Sequence, residues 1–193
     1  LKNNILNSNT NFLSVRTMIF CSLFTTLVAV GAFIRIPLPV TVFTMQFLFV
    51  LMSGLILGSK RGSLSCFLYV AIGILGFPVF TEGGGPMYIL KPTFGYLIAF
   101  IFAAFLVGYL KEKFGSDSTL KLSVYCVIAM VNTYIIGSLY TYFILNYVMG
   151  TPIKYWMCLA SLFPATFLKD LFSCFIAAAS VKKLSKHVKN LEF

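Results

Sequence analysis

Two adjacent charges, Lys169 and Asp170, interrupt the otherwise uncharged stretch from Tyr155 to Val181. An ionisable side chain inside an apolar segment of that length is costly, turns toward protein or water, and by default marks a site that holds a polar ligand. Neighbouring residues on a helix stand about 100° apart, so these two are not expected to pair on one face, and at most one points into a pocket. A second polar group, Glu82, Gly83, Gly84, Gly85 and Lys91, lies in the run GFPVFTEGGGPMYILKP, where glycine allows close backbone approach. Polar partners are also offered by Thr41, Thr44, Gln46 and Asn132, and Phe43, Phe80, Tyr88, Tyr96 and Trp156 could enclose an apolar ligand. The set is suited to binding rather than reaction. The single histidine, His187, lies in a basic tail, so no Ser-His dyad or HExxH helix is possible. There is no Walker A run either, and no catalytic residue, metal site or catalytic cofactor is assigned.

The elements that must position these groups are membrane helices. The chain is 59% hydrophobic and 10% charged, too little polar surface to cover a soluble globule. Charge-free runs between Arg16 and Arg35, Arg35 and Lys60, Arg61 and Glu82, Lys91 and Lys111, and over Leu122 to Ile153 are each long enough to approach or cross about 30 Å of hydrocarbon. With the Tyr155 to Val181 stretch they predict an all-α integral membrane protein of six transmembrane helices, approximately 14–34, 41–59, 62–76, 92–111, 121–146 and 156–181, forming one domain over 1–193. With both termini cytoplasmic, Lys2, Arg16, Lys60, Arg61, Lys111, Lys113, Lys121, Lys182, Lys183, Lys186 and Lys189 fall inside, as the positive-inside rule requires. The net charge of +10 is thereby explained by helix ends, and no nucleic-acid partner is expected. The run Thr17 to Ile34 is too long for a signal core and is read as the first crossing.

The third helix should stop at Phe77-Pro78 after about 22 Å. The outer loop that follows would start below the membrane surface, where irregular backbone is tolerated only against protein or a cavity, so it is expected to cover a binding pocket. Counting thirteen residues back from Lys182 puts Lys169 about 20 Å from the inner boundary, in the outer half of the membrane. Cys21, Cys66, Cys126, Cys158 and Cys174 lie in apolar segments without metal-ligand spacing and read as buried hydrophobes.

Three runs, IRIPLPVTVFTMQFLFVLMSGLILGSKRG (34–62), GILGFPVFTEGGG (73–85) and LKPTFGYLIAF (90–100), resemble the BioY family of biotin-specific substrate-binding subunits of energy-coupling-factor (ECF) transporters. The resemblance covers nearly the whole chain. It implies a multi-pass subunit of the cell membrane that captures biotin on the outer side, works with a transmembrane coupling protein and two ABC ATPases, and uses ATP only through them. Lys169 or Lys91 could then hold the biotin carboxylate, and Asp170, Glu82, Gln46, Thr41, Thr44, Asn132 or the amides of Gly83 to Gly85 the urea ring. The family's last helix carries an acid where Thr166 stands here, with Lys169 in place. Lys91-Pro92-Thr93-Phe94-Gly95-Tyr96 replaces its GPTGGY-like run. In such subunits a small-residue face of the first helix meets the coupling protein, here Thr25 and Ala29, although packing within the subunit would use the same face. The altered last helix leaves another small vitamin-like anion as an alternative ligand, and a stand-alone small-solute facilitator as an alternative mode of transport.

Overall fold

The computed structural model describes residues 14–37, 42–160 and 165–187. Helix α1 spans Val15–Phe33, opened by Ser14, whose hydroxyl accepts a bond from Thr17 N at 3.2 Å. A short antiparallel ribbon follows, β1 (Arg35–Pro37) paired to β2 (Val42–Thr44) with Arg35 opposite Thr44. Then come α2 (Gln46–Leu57), α3 (Ser59–Ile74), a 3-10 turn at Pro86–Leu90, α4 (Phe94–Phe114) and α5 (Thr119–Phe143). α5 runs into a π turn at Ile144–Val148, and the chain continues through a short α6 (Tyr155–Ala160) to α7 (Ala165–His187). Three of these, Val15–Phe33, Phe94–Phe114 and Thr119–Val148, are long and apolar enough to cross a membrane.

Several boundaries differ from those the sequence predicts. The second helix, expected from residue 41, begins only at Gln46, because Val42–Thr44 is taken up by the ribbon. The second and third helices, expected over 41–59 and 62–76 with a break at Lys60-Arg61, are instead joined by Gly58 alone, at φ 85°. That left-handed conformation is open to glycine at little cost. The new helix can begin at once because Glu112, from the end of α4, accepts hydrogen bonds from Ser59 N and Ser59 Oγ, both at 2.7 Å. Of the last predicted span, 156–181, residues 161–164 lie outside the described residues; α6 describes it up to Ala160 and α7 from Ala165, continuing to His187.

The helices surround a core of Val28 from α1, Val50, Leu51 and Leu55 from α2, Cys66 and Tyr69 from α3, Ala103, Ala104 and Val107 from α4, Cys126, Ala129 and Met130 from α5, and Cys174, Ala177 and Ala178 from α7. α4 and α5 are the most extensively packed pair, and α7 lies against both α5 and α2. Thr25, expected on a free docking face, is instead buried and donates to Cys21 O at 2.9 Å and Ser65 O at 3.0 Å, tying α1 to α3. Ala29 is half-buried against the core. This face of α1 therefore packs within the subunit. All five cysteines are reduced and buried.

Candidate functional site

One cavity lies between α2, α4, α5, α6 and α7, with a volume of about 410 Å³. Its walls are largely apolar, with Phe47, Leu97, Phe100, Leu145 and Met157 among them. Among its polar groups are two charges on the first turns of α7. Lys169 Nζ stands 2.7 Å from Asp170 Oδ1, and these side chains are only 9% and 6% exposed. The expectation that the two could not pair is wrong. The four-carbon stem of lysine lets its ammonium swing across the angle between neighbouring Cα–Cβ vectors, which a short side chain could not do. Lys169 Nζ also donates to Thr44 O at 3.0 Å, at the end of the ribbon, and the Tyr134 hydroxyl donates to Asp170 Oδ2 at 2.6 Å. One buried ion pair thus joins α7, α5 and the ribbon.

Of the other predicted site residues, Thr44, Gln46, Glu82, Tyr88 and Tyr96 line the same cavity. Gln46 is buried beside Tyr69, and its Nε2 makes no hydrogen bond among the described residues. The remainder lie elsewhere. Asn132 is off the cavity wall, because its neighbours Thr133 and Tyr134 occupy that face of α5. Trp156 is 74% exposed and points away. Lys91 pairs with Glu82 at 2.7 Å and sits 4.8 Å over the Tyr88 ring, behind the wall rather than in it. Thr41 and the Phe43 side chain fall outside the described residues.

The triglycine run shapes the wall without forming it. Phe80 N donates to Gly83 O at 2.9 Å, Gly83 N returns a bond to Phe80 O at 3.3 Å, and Gly85 N donates to Gly73 O at 2.7 Å. The amides of Gly83 and Gly85, expected as ligand donors, are therefore already used. Gly84 packs on the Phe77 carbonyl. Phe80 likewise is not a wall residue. Only 1% exposed, it enters the core as a plug, 5.4 Å edge-on from Tyr69, 4.6 Å from Tyr88, and directly over Gly73, where a Cβ would collide with the ring. Further ties hold this segment to its neighbours: Tyr69 OH to Val79 O at 3.1 Å, Tyr140 OH to Ile89 O at 2.5 Å, Thr141 Oγ1 to Pro92 O at 3.0 Å, and Arg35 to Thr81 O.

Sequence reasoning missed Thr81, Thr133, Tyr134 and Thr141 as lining residues. A signal was present for three of them. Thr133, Gly137 and Thr141 recur every fourth residue along one face of α5, and a buried tyrosine such as Tyr134 needs a partner for its hydroxyl.

The BioY family model matches residues 6–190. A probable biotin transporter BioY of Lysinibacillus sphaericus is 42% identical over 133 residues, which are 69% of this chain and 68% of that one. The biotin transporter BioY of Thermotoga maritima is 45% identical over 100 residues, 51% of this chain and 59% of its own length. The crystal structure of the S-component for biotin from an ECF-type ABC transporter superposes with a TM-score of 0.67 at 24% identity, covering 89% of this chain and 92% of that one. The helical frame is thus a shared fold, and the family match along nearly the whole sequence establishes that this multi-pass membrane protein belongs to the BioY family.

Proposed function

We propose that the chain captures biotin in the cavity beside α7 and delivers it across the cell membrane as the substrate-binding subunit of an ECF-type transporter. The observation that carries this reading is the combination of an apolar cavity of about 410 Å³ with a buried Lys169–Asp170 pair in its wall. That volume lies within the roughly 300–1,000 Å³ of small-molecule sites. Biotin's fused ring and aliphatic tail match the aromatic and aliphatic walls. Its carboxylate is the natural partner of the Lys169 ammonium, and its urea N–H groups are natural donors to Asp170 or Glu82. Asp170, four positions beyond Thr166 and next to Lys169, takes the part of the acid that the family places earlier.

The chain crosses the membrane six times in this reading, with α2 and α3 as its short second and third crossings and both termini in the cytoplasm. Basic groups support that orientation. Lys111 Nζ donates to Leu55 O at 2.8 Å, and Lys182 Nζ to Ser116 O at 2.8 Å and Asp117 O at 2.9 Å. With Lys60, Arg61, Lys113 and Lys121 they collect at the end of the bundle opposite the cavity. The cavity then opens outward, walled on one side by Thr81, Glu82 and Tyr88 of the outer loop. Transport energy comes from two partner ATPases acting through a coupling protein.

Calorimetric titration of biotin into the purified protein, stripped of copurified ligand, tests the reading. Saturable binding by the wild type and its loss in Lys169→Ala are expected. A folded wild type that binds no biotin would refute the ligand. Flux of biotin into liposomes by this chain alone would replace the partner-driven mode with a facilitator.

A further inference from the structure

The cytoplasmic end of the bundle holds a second hollow. Phe114 at the end of α4, Ser118 in the turn, and Leu120, Lys121, Val124 and Tyr125 of α5 line an open groove of about 500 Å³. Among the described residues no helix covers it: Leu120 is 72% exposed, and Phe114 and Val124 are about half exposed. Farther along α5, Ile128, Val131, Ile135 and Leu139 are exposed as well, so an apolar strip leads away from the groove toward the opposite end of the helix. A parallel strip on α4 carries Phe102, Phe105 and Tyr109.

Cations stand at the mouth. Lys121 Nζ donates to Phe114 O at 2.5 Å and reaches Asp117 Oδ2 at 3.2 Å, which uses two of an ammonium's three donors. Lys113 Nζ lies 5.4 Å from the centre of the Phe114 ring and 5.6 Å from that of Tyr109. Of the two acidic groups nearby, Glu112 is turned to Ser59 and Asp117 is 83% exposed. In the inner wall the buried hydroxyl of Tyr125 has no hydrogen-bond partner among the described residues.

We propose that this groove holds one anionic phospholipid of the inner leaflet, with its phosphate against Lys121 and Lys113 and an acyl chain along Leu120, Val124 and Ile128. A soluble anion would leave the apolar slot unfilled, and a zwitterionic lipid would bring its own cation beside Lys113 and Lys121, of which only Lys121 has a carboxylate partner among the described residues, the exposed Asp117. An amphipathic anion meets both requirements, and basic pockets between membrane helices on the cytoplasmic side are suited to such headgroups. The proposal rests on the membrane orientation of the chain and is independent of the ligand held at the other end.

Native mass spectrometry of the protein released from nanodiscs of mixed phosphatidylglycerol and phosphatidylcholine tests it. The wild type should retain one phosphatidylglycerol in preference to phosphatidylcholine. Lys113→Ala and Lys121→Ala should each reduce that preference about fivefold, and Val124→Trp, which fills the slot, should reduce retention with the charges intact. Lys60→Ala with Arg61→Ala removes twice the charge of either single variant, away from the groove, and should leave retention unchanged. Equal retention of both lipids by the wild type, or equal losses in the control pair, would overturn the site in favour of diffuse surface charge. Loss of coupling-protein association in Val124→Trp with unchanged lipid retention would make the groove a protein interface and would also overturn it.

Discussion

Removing one member of the Lys169–Asp170 pair should cost more than removing both. The two groups are 2.7 Å apart and their side chains less than 10% exposed, so each is the other's main compensation for lost hydration. Breaking a buried pair from one side typically costs about 3–5 kcal/mol, whereas replacing both charges with neutral groups of similar volume is often close to neutral. The pair lines a cavity that water can enter, which favours the lower end. Lys169→Met and Asp170→Asn are each expected to destabilise by about 3 kcal/mol, and the double variant to return to within about 1 kcal/mol of the wild type. Biotin binding should not return with it. A charge-assisted hydrogen bond contributes about 1.5–3 kcal/mol, so every variant lacking Lys169 should bind roughly 10- to 150-fold more weakly. Unfolding midpoints in detergent and calorimetric titration on the four proteins supply the cycle. A double variant as unstable as the worse single one would refute the coupling, and wild-type affinity in Lys169→Met would refute the role of the ammonium.

Gly73→Ala places a methyl group on the Phe80 ring and should destabilise by about 1–3 kcal/mol, with Phe80→Leu in the same chain restoring part of the loss in a thermal melt. Glu112→Ala removes the two 2.7 Å bonds to Ser59 and should cost about 1–3 kcal/mol while leaving the biotin titration unchanged, because it lies at the far end of the bundle. Lys91 and Glu82 form an exposed pair, so Lys91→Ala should alter stability by less than about 1 kcal/mol; a larger loss in the same melt would show that the pair supports the wall. Thr166→Asp should recover biotin binding lost in Asp170→Asn, measured by titration, if the acid's position on α7 is interchangeable.

The apolar spans were legible because their length and lack of charge are one-dimensional properties, as was the pair Lys169-Asp170, the only charges in the last long stretch. What was not legible depends on partners distant in sequence. Ser59 begins a helix because Glu112 returns from α4 to receive its amide, and nothing within Gly58 to Gly62 announces that. Phe80 read as a wall residue because it lies beside the triglycine run, but the vacancy over Gly73 draws it into the core. Polarity alone points to Asn132, whereas helix phase assigns the cavity face to Thr133 and Tyr134. The lysine pairing failed for another reason: Cβ direction constrains short side chains well and long ones poorly.

Phe80 also bears on how weak a ligand the site could hold. Fixing the backbone of ten residues from a disordered state would cost at least about 10 kcal/mol, more than the roughly 8 kcal/mol released by a micromolar ligand. With its ring wedged over Gly73 and its neighbours bonded to α3 and α5, the segment between α3 and α4 has met that entropy loss during folding. Little of what the ligand's contacts yield must then be spent on ordering the segment, and the remainder appears as residence time.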